Sequence, residues 1–387
     1  MIVSRHRGVT WVSRITLPDR HASLLVAVAA LALIAGPLGA QTQRVDSGGF
    51  RITPLIAPAY NPEMQFLIAG GVLVSWKAGP NKLRVQRSTL VSTISYSTTG
   101  AANVANNLTA FFNEDRLQLS ANVSFKNMPD NYWGVGYEEG LSPEHGDSTT
   151  QYLRQWWQAR VRAVWEVRPN LYLGGNVDVN HTIATDPGPR MTGDSTYQAQ
   201  GSSVFNTGIG AVVQYDTRDV ASNAWRGTYA ALGITKYGRT LGGRSNYATY
   251  LWDYRHYIPL GRNGRTLAFQ LKARLTGGTV PWPELSMVGS GADVRGYVEG
   301  RFRDRESLIG LIEYRHMFVR SAGQLSRHGF VAWVGGGALG PSLSFEGFLP
   351  NAGAGYRFEL QPRANVRVDV GVGRRSNGIY FNFNEAF

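Results

Sequence analysis

Polar and apolar residues take turns along much of this chain. Leu117, Leu119, Ala121, Val123 and Phe125 alternate with Gln118, Ser120, Asn122, Ser124 and Lys126. Successive side chains leave a strand on opposite sides, so a period of two over residues 116–126 predicts a strand with one greasy and one wet face. Residues 170–180 repeat the pattern, with Leu171, Leu173, Val177 and Val179 against Asn176, Asp178 and Asn180. Residues 364–372 repeat it again, with Val366, Val368, Val370 and Val372 against Asn365, Arg367 and Asp369.

Fifteen such segments, from 65–76 to 378–387, punctuate the chain, and 132–137 is a weaker sixteenth. Many exceed the roughly 5–6 residues usual in soluble strands and suit the roughly 9–11 that cross an outer membrane at a tilt. The predicted fold is therefore all-β: a closed transmembrane antiparallel β-barrel of about sixteen strands, since an even count and full closure leave no bare edge in lipid. A helical membrane protein is excluded, because no segment after residue 40 has the ~18 consecutive apolar residues a spanning helix needs. Tyr250, Trp252 and Tyr254 share one strand face, as do Trp157 and Trp165, which suits interfacial girdles. Cross-strand aromatics in a soluble protein would look similar. Polar, turn-rich stretches such as residues 185–203 read as extracellular loops.

The chain begins differently. Arg5, Arg7, Arg14 and Arg20 precede an apolar run over residues 24–35, followed by Gly36-Pro37 and the small residues Gly39-Ala40. That order predicts a secretory signal peptide over residues 1–40, then a short periplasmic segment over 41–61 and the barrel over 62–387. The leader carries a net +3 of the total of +12, leaving +9 on the exported part. The basic residues are scattered rather than blocked, which argues against nucleic acid and suits outer-membrane lipids and lipopolysaccharide.

Catalytic motifs are scarce. The chain has no cysteine, and no HExxH, GxSxG or phosphate-loop pattern. GGGALG at 335–340 fits the bare spacing of a dinucleotide fingerprint, but Pro341 follows at once and no helical pattern opens there. His256 or His316 could join a serine only through geometry that sequence does not show. No enzyme activity, metal or cofactor is expected.

One charged, glycine-rich stretch breaks the alternation. GSGADVRGYVEGRFRD, followed by LIGLIEYRHMF, resembles the signature of the BamA and TamA superfamily of outer-membrane assembly and secretion barrels. Val294, Arg295, Gly296 and Tyr297 match the superfamily's loop tip, and Glu313, Tyr314 and Arg315 match the strand that follows. Asp216, Arg218 and Asp219 resemble its strand-end DTRD, and residues 58–71 resemble its first strand. Ser376, Gly378, Phe381, Phe383 and a final Phe387 resemble the terminal targeting signal read by the barrel assembly machinery.

The resemblance implies a long loop entering the lumen before the twelfth strand, with Arg295 held by acids on the inner wall. Glu313 is the expected partner, alone or with Asp369. Residues 293–306 hold Arg295, Arg301, Arg303 and Arg305 against Asp293, Glu299, Asp304 and Glu306, a balance that predicts a self-paired network. The sequence also departs from the family: the usual aspartate near residue 333 is missing. About twenty residues between Gln41 and the first predicted strand leave no room for periplasmic POTRA domains. Three roles stay open: an assembly or translocation barrel working with a separate periplasmic partner, a gated transport pore, or a structural surface antigen.

Overall fold

The alternating segments form strands whose two faces are exposed the opposite way round from those of a water-soluble protein. The computed structural model describes residues 49–61, 65–79, 85–146, 148–321 and 323–387, so the expected signal peptide lies outside the described residues. The strands are β1 (Arg51–Asn61), β2 (Gln65–Trp76), β3 (Ser88–Ser97), β4 (Ala102–Phe112), β5 (Leu117–Asn131), β6 (Gln151–Arg168), β7 (Leu171–Thr185), β8 (Ser203–Asp216), β9 (Gly227–Tyr237), β10 (Tyr247–Pro259), β11 (Arg265–Gly278), β12 (Ser286–Val288), β13 (Phe302–Asp304), β14 (Glu306–Val319), β15 (Leu325–Gly340), β16 (Gly347–Gln361), β17 (Ala364–Gly373) and β18 (Ser376–Phe383). Sixteen of them pair antiparallel in chain order in one sheet, while β12 and β13 pair only with each other. The short helices α1 (Tyr137–Leu141), α2 (Pro189–Thr192) and α3 (Ser195–Gln200) lie in the connections. Among the described residues no helix is long and apolar enough to cross a membrane, which says nothing about crossing by strands.

Two expectations fail in compensating ways. The first strand is β1, inside the stretch assigned to a periplasmic segment, so the boundary at 61/62 falls one strand too late. Pro54 and Pro58 hid it, because proline cannot donate to a ladder and reads as a strand breaker. Residues 132–137, the weak sixteenth candidate, are not a strand: the chain leaves β5 at Asn131 and enters α1 at Tyr137. The total of sixteen survives these two errors. Several boundaries also move: β4 starts at Ala102 rather than Asn107, β5 runs on to Asn131 rather than Lys126, β16 starts at Gly347 rather than Ala352, and the last strand ends at Phe383 rather than Phe387.

Val123, Val161, Leu173, Val177, Ile209, Val213, Leu232, Ile234, Val370 and Val372 are exposed on one face. Asp178, Asn180, Thr182, Gln214, Arg315 and Asp369 are buried on the other. In water so broad an apolar belt would demand cover. Facing lipid, it is the expected surface.

Consecutive antiparallel pairing sends alternate connections to opposite ends of the sheet. At one end they are mostly short, as at 113–116, 169–170, 260–264, 320–324 and 362–363. At the other lie the long ones, 132–150, 186–202 and 279–305. The sheet's first and last strands also approach each other. Leu55 of β1 and Phe383 of β18 pack against one cluster with Leu73 and Val91, and Gln361 of β16 donates to Thr53 Oγ1 at 2.8 Å. No ladder joins β1 to β18 among the described residues.

Candidate functional site

The 279–305 connection is a hairpin in its own right. Ser286 faces Asp304 and Val288 faces Phe302 in the β12–β13 ribbon, whose tip carries Val294–Tyr297. Its base is clamped by aromatics from the 132–150 connection and from the start of β6. Trp282, fully buried, meets Tyr132 and Tyr152 edge-on at 6.1 and 5.9 Å and donates from Nε1 to the Gly201 carbonyl at 3.1 Å.

The tip packs on the polar face of β14–β18. Val294 is buried with Val288, Ile309 and Leu339. Gly296, at φ 115°, turns the backbone where a side chain would strike Val372 of β17, with Cβ 2.8 Å from its carbonyl carbon. Gly371 makes the reciprocal space: a Cβ there would meet the Arg295 carbonyl at 2.6 Å. The Gly296 N–H donates to Tyr380 Oη at 2.9 Å, and Tyr297 Oη donates to the Pro350 carbonyl at 2.8 Å.

Arg295 is 0 % exposed. Its Nη2 donates to Glu313, and its Nη1 to Asp369 Oδ2 at 2.8 Å. The guanidinium lies over the Trp333 indole, its central carbon 3.6 Å from the ring centroid. Trp333 thus occupies the stretch where the missing aspartate was expected: a ring face supplies attraction by its quadrupole, and the second carboxylate comes from β17 instead. Arg315 donates to Glu313 Oε2 from Nε and Nη2, at 3.0 and 2.9 Å, while Arg357 and Arg367 also bind Asp369. Glu385 joins through Arg357 Nε at 2.8 Å and Asn365 Nδ2 at 2.7 Å. Burial works to raise the Glu385 carboxyl, yet Arg357 and Arg315 hold it below the usual carboxylate range.

Four guanidinium groups therefore meet three carboxylates, and main-chain oxygens take part of the excess. Arg367 donates to the Gly291 carbonyl at 2.6 Å and Arg315 to the Phe387 main-chain oxygen at 2.9 Å. Sequence reasoning missed Trp333, Arg315, Arg357, Arg367 and Glu385 as members of this cluster. The like parity of 313 with 315, and of 365, 367 and 369, was the available signal, since residues two apart share a strand face.

The expected self-pairing of residues 293–306 is overturned. No ion pair links two residues of that stretch among the described residues. Arg301 donates to the Gly140 carbonyl at 2.7 Å, Arg303 lies over Tyr132, and Glu299 faces Lys126 at 3.6 Å. A short loop whose ends pair in a ribbon points its side chains outward at the walls that surround it.

The other candidate residues lie elsewhere. Asp216, Arg218 and Asp219 sit in the 217–226 connection and its approach, at the short-turn end. Arg218 pairs with Asp216 at 2.8 Å and stacks on Tyr229, whereas Asp219 accepts from the Val220 and Trp225 N–H groups and pairs with Arg363 at 3.0 Å. Ala221 N–H donates to Gln86 Oε1 and Ser222 Oγ to the Arg363 carbonyl, so this connection reaches both the β2–β3 and β16–β17 turns. Gly378, Phe381 and Phe383 lie on β18, facing Gly371, Val368 and Val366. Phe387 does not continue that strand. Asn384, at φ 59°, turns the chain, and Phe387 is buried beside Tyr257 and the Arg315 guanidinium.

Residues 80–383 match the Omp85 superfamily domain. No curated protein sequence matches the chain. Among solved structures, BamA from Haemophilus ducreyi lacking POTRA domains 1–3 is similar at 13% identity and a TM-score of 0.51, over 87% of this chain and 69% of that one. CdiB from Acinetobacter baumannii is similar at 13% identity and a TM-score of 0.53, over 87% and 59%. CdiB from Escherichia coli is similar at 11% identity and a TM-score of 0.53, over 89% and 63%. The chain thus spans about 59% and 63% of the two CdiB chains. At these identities the likeness is one of fold.

Proposed function

The chain belongs to the Omp85 superfamily, and on that footing we propose that it is a closed outer-membrane barrel acting in assembly or translocation of outer-membrane protein or lipid, with a separate periplasmic partner. The 279–305 hairpin fills the lumen in this reading, and Arg295 is the pin that holds it. The reading gives the chain no catalytic role.

The observation that carries it is the junction of β1 with β18. Consecutive strands of the sheet all pair by antiparallel ladders, three of them with a single register shift, whereas among the described residues no ladder joins β1 to β18. The chain itself supplies a reason. In an antiparallel strand, residues of like parity send their N–H groups to the same edge. Pro54 and Pro58 share parity, and the β2 register runs through both without a shift. The missing donors therefore fall on the edge toward β18. An edge short of two donors cannot make a full ladder, so the seam it forms is weak and can part.

A cross-link tests this. The chain has no cysteine of its own, so Leu55→Cys with Phe383→Cys introduces a clean pair across the junction. Deleting the gene is expected to lower the amounts of other outer-membrane proteins. The double variant is expected to restore them when reduced and to fail when bridged by a short bis-maleimide. An unchanged protein profile on deletion, or full activity of the bridged protein, overturns the proposal.

A further inference from the structure

Away from the lumen, the apolar face of β10, β11, β14 and β15 carries an open groove of about 390 Å³. Tyr254, Phe269, Leu271, Gly310, Ile312 and Val334 line it. Gly310 makes the depression, since a side chain there would meet only Leu271 Cδ1, at 3.9 Å.

Six residues further along β14, at the short-turn end, the same face changes character. Arg262 Nη2 lies 3.2 Å from His316 Nε2 and donates to the Met317 carbonyl at 2.9 Å, while Arg265 faces His316 across the β11–β14 ladder. Arg262 can only donate, so His316 Nε2 accepts, and its Nδ1 carries the proton toward Tyr314 Oη at 2.9 Å. The Tyr314 hydroxyl proton is then left to donate outward. Arg265 and Arg320 have no ion pair among the described residues. Neither residues 254–267 nor residues 314–330 contain an aspartate or glutamate. The rim is therefore a set of cation and hydroxyl donors with no carboxylate to neutralise it.

The spacing of the two features selects the occupant. Six residues of strand cover about 20 Å, and a strand tilted about 45° brings that to roughly 14 Å of depth, near half of a ~30 Å hydrocarbon core. An anionic headgroup on the rim would place its acyl chain in the groove. We infer that this wall holds one anionic glycerophospholipid, its phosphate on Arg262, Arg265 and Tyr314 and an acyl chain over Gly310. The inference rests on the membrane-barrel reading and not on the assembly role.

The test is native mass spectrometry of the detergent-purified protein given phosphatidylglycerol or phosphatidylcholine with identical chains. The native protein should retain phosphatidylglycerol at least tenfold more than phosphatidylcholine. Arg262→Gln with Arg265→Gln should abolish that preference, and Gly310→Leu, which fills the groove without touching the rim, should cut phosphatidylglycerol retention several-fold. Equal retention of the two lipids, or variants that retain phosphatidylglycerol like the native chain, overturns the site. A loss in the arginine variant alone also overturns it, because that result describes phosphate binding without a lipid chain. Heat-modifiable migration of each protein on a detergent gel runs in parallel, and a native protein with no shift would indict the barrel reading instead.

Discussion

Arg295 shows how one side chain can fix a loop. Its charge is fully withdrawn from solvent, so it stays only because two carboxylates and an indole face surround it. Removing one member of such a buried set strands the others, at a cost of about 3–5 kcal/mol, whereas an aromatic partner of a cation contributes about 0.5–2 kcal/mol. Arg295→Ala should therefore lower the midpoint temperature of the heat-modifiable gel shift most. Arg295→Lys, which keeps the charge but loses the planar fork that reaches Glu313 and Asp369 together, should fall between, and Trp333→Leu should cost least. An unchanged midpoint for Arg295→Ala would show that the cluster does not hold the hairpin. Much of this site was legible because motif and strand parity named Arg295, Glu313 and Asp369. Trp333 and Glu385 were not legible: one replaces a carboxylate by a different kind of attraction, and the other arrives only because Asn384 turns the chain back. Neither event has a periodic signature.

At the scale of elements, alternation located the strands well wherever one face met apolar surroundings and the other polar ones. It failed at β1, where the residues that make the strand unusual are the ones that hid it. Pro54 and Pro58 read as breakers in isolation, yet on a strand laddered along one edge only they cost no hydrogen bond. It failed in the opposite sense at 132–137, where Trp133, Val135 and Tyr137 alternate with Gly134 and Gly136, but Tyr132 and Tyr137 are buried in two different clusters, around Trp282 and Phe302. The proline reading makes its own prediction. Pro54→Val with Pro58→Val returns two donors to the β18-facing edge and adds β-branched residues that favour strands. The double variant should raise the heat-shift midpoint by several degrees and weaken complementation of a gene deletion. A midpoint equal to or below that of the native chain would mean the prolines do not keep the junction open.

The whole molecule inverts the usual division between core and surface: its apolar residues face outward and its charges face inward. A water-soluble core loses little when pH falls, because its titrating groups sit outside. Here three carboxylates, Glu313, Asp369 and Glu385, lie among four arginines, and their protonation would leave the guanidinium groups facing one another. Glu385, outside the strands, fixes the sign. Its carboxyl is held below the ordinary value of about 4.3, so the folded chain binds fewer protons there than the unfolded chain does. Its contribution is complete above the unfolded value and is lost as pH falls through the lower folded one. The midpoint of the gel shift should accordingly stay level from neutral pH to about pH 5 and drop below about pH 4. Glu385→Gln should lower the neutral-pH midpoint and flatten the acid limb. A native midpoint that is level down to about pH 3, or a Glu385→Gln variant with the native acid limb, would place the stability of the sheet in its lipid-facing surface and ladders rather than in the charges it encloses.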